Sequence, residues 1–178
     1  MSPLSDYDLS NLHIMIVDCH VPMRRILWGI LRAWNINNIG EAANGQEALD
    51  KMGRSSADVL ITEYQMHPID GLELTKTIRS GESGADPYLP IILISSYTEM
   101  KTILDARDAG ANEFLAKPIS AKLVYDRLRM IIENPRPFVR AENFMGPDRR
   151  RHTQPLTGED RRVTQNEAAE ADVQPNVH

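Results

Sequence analysis

One cysteine, Cys19, stands in 178 residues. That excludes a disulfide framework and a zinc site made of cysteines within the chain. No apolar run approaches the ~20 residues that a membrane-spanning helix needs. The opening stretch, residues 1–11, has no basic segment ahead of an apolar core, so a signal peptide is not expected. These absences predict a soluble cytoplasmic protein without membrane insertion. Lysine is also missing from the whole chain after Lys122. Hydrophobic residues make up 42%, slightly low for a fully packed globule of this length, which suits one domain with an appendage.

The net charge of −5 conceals three regions of different sign. Residues 1–134 carry 13 Lys and Arg against 18 Asp and Glu. Residues 136–162 carry seven Arg and no Lys against four acids, Glu142, Asp148, Glu159 and Asp160. Residues 163–178 carry three acids and no cation. The predicted organisation is a domain over residues 1–134, an arginine-rich arm over 135–163 and an acidic tip over 164–178.

Within the first segment, strand and helix signals alternate five times. Short apolar runs end at Asp18, Ala43, Glu63, Ser95 and Ala116. Between them lie helical spacings: Met23, Ile26, Leu27, Ile30 and Leu31 in the first, and Leu123, Leu128, Ile131 and Ile132 in the last. Asn44 with Glu47 reads as a helix start with a capping-box partner, Gly110 as a helix stop and Ser120 as a cap. Five such units predict an α/β fold with a doubly wound five-stranded parallel sheet and helices on both faces. Ligands of such sheets bind beyond the carboxyl ends of the strands, where strand order reverses. The residues there are Asp18, Cys19, Glu63, Ser95 and Lys117. Met23, Trp28, Leu93 and Leu123 are expected to pack in the core. From residue 135 on, only eight of 44 residues are Ile, Leu, Val, Met, Phe, Trp or Tyr, so the tail is expected to be disordered in isolation.

Val17-Asp18, the run Glu63 to Gly71, Ser95-Ser96 and the run Gly110 to Pro118 resemble the receiver domain of response regulators, the CheY-like fold. The resemblance covers about two-thirds of the chain. It implies that a pair of acids after the first strand holds a divalent cation and that an aspartate after the third strand takes a phosphoryl group. A Ser or Thr after the fourth strand and the Lys of Lys-Pro then contact the phosphoryl oxygens. It also implies a cis Lys117–Pro118 bond. The chain departs from this pattern where the chemistry happens: Glu63 stands at the phosphoacceptor position and Cys19 at the second acid. A glutamate carries its carboxylate one methylene further out, so Lys117 and Ser95 are expected to meet it directly. A thiol is a poor substitute for a hard oxygen ligand of magnesium, so no metal site is expected. His13, His20 and His67 form no helix-spaced pair and read as ordinary polar residues. Two readings stay open, a receiver held near its active-like state and a receiver kept as a docking scaffold; both lack a phosphoryl switch.

The arm contains a short repeat. Gly146-Pro-Asp148-Arg149-Arg150 recurs twelve residues on as Gly158-Glu-Asp160-Arg161-Arg162. Arg151 and His152 extend the first copy, and Arg136 and Arg140 lie upstream. Arginine alone, without lysine, suggests planar bidentate recognition. Arg donates to the O6 and N7 of guanine or to phosphate, and an ionised Asp accepts from guanine's N1–H and N2–H. A plain nucleic-acid arm has no use for interspersed acids. Guanines and phosphates presented twice fit cyclic di-GMP, and binding to RNA or DNA is the weaker alternative. The order receiver, then Arg136 to Arg140, then Gly146 to Arg151 also resembles the CheY-like proteins called Cle. These carry an arginine-rich C-terminal extension that binds cyclic di-GMP, and they act at the flagellar motor. The resemblance implies a non-enzymatic effector without a cofactor, whose partner is the flagellar motor switch protein, with recruitment to the flagellar pole as a further expectation. Docking is expected near Tyr97, Phe114 and Tyr125, on the face of the fourth helix, fifth strand and fifth helix. The alternative is a degenerate single-domain response regulator acting as an adaptor, with a passive tail.

Overall fold

The computed structural model describes residues 8–141 and 144–148. Five strands alternate with five helices: β1 (His13–Val17), α1 (Val21–Arg32), β2 (Asn38–Ala42), α2 (Gly45–Met52), β3 (Val59–Glu63), α3 (Gly71–Ser80), β4 (Ile91–Ser95), α4 (Met100–Ala109), β5 (Glu113–Ala116) and α5 (Ala121–Glu133). The strands form one parallel sheet in the order β2-β1-β3-β4-β5. This is the doubly wound α/β fold expected from the alternation of apolar runs. Strand order reverses between β1 and β3, which brings the residues after Val17 beside Glu63.

Strand residues point alternately to the two faces. Ile14, Ile16, Ile61, Ile92 and Ile94 pack with Leu27 and Leu31 of α1 and with Val124 and Leu128 of α5. Met15, Val17, Leu60 and Ile91 face the opposite layer, with Ala48 and Met52 of α2 and Leu74 and Ile78 of α3. Leu93 meets Ala106 of α4 on that same side. Each fully buried Ile or Leu contributes roughly 1.5–3 kcal/mol relative to exposure. Met23 packs against the first cluster as expected. Trp28 and Leu123 do not: they are 38% and 40% exposed. The Trp28 ring lies on the outer surface of α1 with the Arg32 guanidinium 5.4 Å from its centre.

The helix ends follow the sequence signals. Asn44 Oδ1 accepts the Glu47 N–H, and Glu47 reaches back to the N–H of Ala43, one residue ahead of the cap. Ser120 Oγ accepts the Leu123 N–H. Asp70 caps α3 by accepting the Glu73 N–H. Lys117–Pro118 is cis, and so is His67–Pro68.

The expectation of disorder from residue 135 is corrected for the residues nearest the body. Phe138–Ala141 (β6) and Phe144–Pro147 (β7) pair antiparallel as a hairpin, Val139 opposite Gly146. β7 sits on α3 and α4. Its anchor is Arg79, 4% exposed, which donates to the carbonyls of Gly110 and Pro87 and to Asn112 Oδ1. The face of that guanidinium lies 5.0 Å from the Phe138 ring centre, and Tyr88 meets Phe138 edge-on at 5.1 Å. Burial pushes Arg79 down to about 10, which leaves it charged at neutral pH. Gly110 has φ +98, and a Cβ there would stand 2.7 Å from the Met145 carbonyl oxygen. A Cβ on Gly146 would stand 2.8 Å from the Gly110 Cα. The hairpin therefore docks backbone against backbone.

Gly110→Ala should lower stability by ~1–3 kcal/mol through left-handed strain and loss of that contact. Gly29→Ala in mid-α1, where nothing lies within 4 Å of the new Cβ, should raise it by ~0.5–1 kcal/mol. Urea titrations of the two variants against the parent measure both.

Candidate functional site

Asp18, Glu63 and Lys117 meet above the carboxyl ends of β1, β3 and β5. Asp18 is 2% exposed and Glu63 6%. Gly71 makes room for this arrangement: a Cβ there would collide with the Glu63 carbonyl and the Leu93 side chain. The Glu63 side chain is held from two sides. Its Oε1 accepts the N–H of Tyr64 at 3.0 Å and of Gln65 at 3.3 Å, and its Oε2 is in direct contact with the Lys117 ammonium. The same ammonium lies 3.6 Å from Asp18 Oδ2. Arg24 Nη1 donates to the Asp18 carbonyl at 2.6 Å and steadies the loop from below. Lys117 thus meets Glu63, as expected from the extra methylene. Ser95 does not take the expected part. It is fully buried, and its hydroxyl accepts the Tyr97 N–H at 2.9 Å, closing a local turn instead of reaching Glu63. Cys19 is exposed.

Residues 14–129 match the family model of the response regulator receiver domain. The chain is 33% identical over 123 residues to the chemotaxis protein CheY-3 of Vibrio cholerae, covering 69% of this chain and 93% of that relative. It is 30% identical over 122 residues to CheY of Pseudomonas aeruginosa, covering 68% of this chain and 97% of the relative. A solved response regulator from Chloroflexus aurantiacus superposes with a TM-score of 0.64 at 28% identity, over 68% of this chain and 98% of that one. CheY of Borrelia burgdorferi, solved with CheX, BeF3 and magnesium, gives 0.61 at 25% identity, over 68% of this chain and 89% of that one. The chain belongs to the response regulator receiver domain family. A signalling role follows from that membership.

This receiver does not offer the donor set of the family's magnesium ion. Mg²⁺ demands hard oxygen ligands in near-octahedral order. Here the Glu63 carboxylate is taken by an ammonium and two backbone N–H groups. Lys117 also approaches Asp18, and a thiol stands at the second acid position. The residues present do not fit Mg²⁺.

The docking residues are divided by their burial. Tyr97 is exposed, and Phe114 is half-buried against Leu93 and Ala106. Tyr125 is a correction: it is 5% exposed and packs edge-on against Trp34 at 5.3 Å, in the core between α1 and α5. Its position near the start of α5 does not distinguish an outward from an inward ring. Met100 and Leu104, one turn apart on α4, are the exposed apolar residues that the sequence reading passed over. Below them Phe114, Glu113, Arg107 and Arg136 line a groove of about 240 Å³.

Arg136 is placed differently from the expectation of a ligand contact. Its Nη2 donates to Glu113 Oε1 at 2.7 Å, and Arg127 lies 3.6 Å from the other oxygen of the same buried carboxylate. Arg136 is committed to the body. Arg140 is exposed on the hairpin, and the Asp148 N–H donates to the Pro137 carbonyl at 2.8 Å. Arg149, Arg150, Arg151, His152, Asp160, Arg161 and Arg162 lie outside the described residues.

Acetyl phosphate with magnesium should leave the intact mass of this receiver unchanged. An added phosphoryl group that disappears in Glu63→Gln would contradict that outcome.

Proposed function

We propose that the chain is a phosphorylation-independent CheY-like effector that binds cyclic di-GMP through its arginine-rich arm and regulates the flagellar motor switch. The observation that carries the loss of phosphoryl switching is the Lys117–Glu63 contact. The lysine that the family uses to hold the phosphoryl group is already neutralised by a carboxylate one methylene longer than aspartate. The doubled Gly-x-Asp-Arg-Arg pattern supports guanine and phosphate recognition, with Asp148, Arg149, Arg150, Asp160, Arg161 and Arg162 as the ligand contacts and Arg140, Arg151 and His152 beside them. Arg136 instead serves as the anchor that fixes the arm's root to Glu113.

The root also lies near the surface proposed for docking. Arg136 lines the groove beneath Leu104 and Phe114, and the tie between Asp148 and Pro137 starts the arginine run one residue beyond this point. Ordering of the arm by a ligand then changes the charge and shape of the rim of the face that meets the partner. No helix among the described residues is long and apolar enough to cross a membrane, and recruitment to the flagellar pole would follow from partner binding alone.

Calorimetric titration of the full chain with cyclic di-GMP tests the reading. Asp160→Ala combined with Arg161→Ala should weaken binding, each truncated charged contact costing roughly 1.5–3 kcal/mol, about ten- to a hundredfold. Unchanged affinity in this variant overturns the two-copy site. No binding by the parent favours the adaptor with a passive tail. Met100→Glu with Leu104→Glu should abolish capture of the motor switch protein while the circular dichroism spectrum stays that of the parent.

A further inference from the structure

The loop joining β1 to α1 carries three consecutive donors of different hardness: the Asp18 carboxylate, the Cys19 thiol and the His20 imidazole. His20 occupies the N-cap of α1, where Ser, Thr, Asp or Asn would ordinarily accept a helix N–H. Its side chain makes no capping bond. The ring turns back along the loop, so that Nδ1 lies 3.1 Å from Asp18 Oδ1 and 3.3 Å from Cys19 Sγ. One donor atom from each of the three residues lies within 4.8 Å of the other two.

These separations approach those around a single ion. Zinc binds nitrogen at about 2.0–2.1 Å and sulfur at about 2.3 Å, so donors on a tetrahedral ion stand about 3.4–3.6 Å apart. The two separations to His20 Nδ1 are within a few tenths of an ångström of this range, and the remaining pair lies within 4.8 Å. Asp18 is buried and fixed, its Oδ1 held by the His20 N–H at 2.7 Å. Cys19 and His20 are exposed, and the Cys19 thiol also lies 4.0 Å from the Gln65 carbonyl. Lys117 approaches the other oxygen, Oδ2, and leaves Oδ1 on the side of the thiol and the ring. The donor set decides the metal. Imidazole and thiolate favour borderline-soft divalent ions over Mg²⁺, whose oxygen ligands this pocket has lost.

We propose that Asp18, Cys19 and His20 form a binding site for a borderline-soft divalent cation of the Zn²⁺ class, with water completing the coordination. Binding releases the thiol proton of Cys19 to solvent, because the thiolate is the ligand. The site is independent of the arm and of its ligand. Histidine spacing carries no sign of it, since the partners are chain neighbours brought together by the bend after β1.

Cobalt titration of the full chain tests the site, because Cys19 is the only cysteine. A thiolate-to-cobalt charge-transfer band therefore reports on this loop alone. The band should grow with Co²⁺, disappear when Zn²⁺ is added and survive excess Mg²⁺. Cys19→Ser should abolish it. His20→Gln should weaken Co²⁺ and Zn²⁺ binding on the order of tenfold or more, and His67→Gln should leave both unchanged. Both loop residues are exposed, so the variants should keep the parent's circular dichroism spectrum. Absence of the band, or an unchanged affinity in His20→Gln, overturns the proposal.

Discussion

The carboxyl end of the sheet is organised around one charge, the ammonium of Lys117. It reaches from the end of β5 across β4 to the Glu63 carboxylate on β3, and stands 3.6 Å from Asp18 beyond β1. The Lys117 backbone is fixed to the same strand end, its N–H donating to the Ser95 carbonyl at 2.8 Å. A mostly buried carboxylate is costly unless paired and hydrogen-bonded, and Glu63 has both a cation and two N–H donors. The pairing satisfies the pocket from within the chain. One cation thus serves two carboxylates that arrive from different strands.

Most of the fold was legible because each signal is local. A buried parallel strand shows as a short apolar run, and Asn44, Ser120 and Gly110 mark helix ends through bonds within four residues. The pocket was legible for the same reason: its residues terminate strands, and strand ends share one side of a parallel sheet. The rest depended on contacts distant in sequence. The hairpin over residues 138–147 has too few apolar residues to fold by its own burial, and it rests on Arg79, Tyr88 and Gly110, contributed by α3, the loop before β4 and the end of α4. Tyr125 and Leu123 exchange the places expected of them because helical spacing gives a face but not which neighbour covers it. Ser95 Oγ accepts the Tyr97 N–H in the turn that follows, a contact the strand-end pattern does not announce.

β5 connects the two ends of the molecule. Its first residue, Glu113, binds Arg136 at the root of the arm, and the residue after its last, Lys117, binds Glu63. Three residues separate those charges, and the strand lies at the sheet's edge, beside α4 and α5. The short length and the buried Glu113 also limit pairing of this edge with a foreign strand. The arm is thus rooted at the amino ends of the strands, while the charge pairing sits at their carboxyl ends.

The contact between Gly110 and Gly146 has a consequence for the duplicated motif. Gly146 opens the first copy of the repeat, and it lies where its own missing side chain allows the backbones to touch. The two copies are thus equivalent in spelling, but the opening glycine of the first is also a wall residue of the folded body, so a substitution at Gly146 touches the fold as well as the motif.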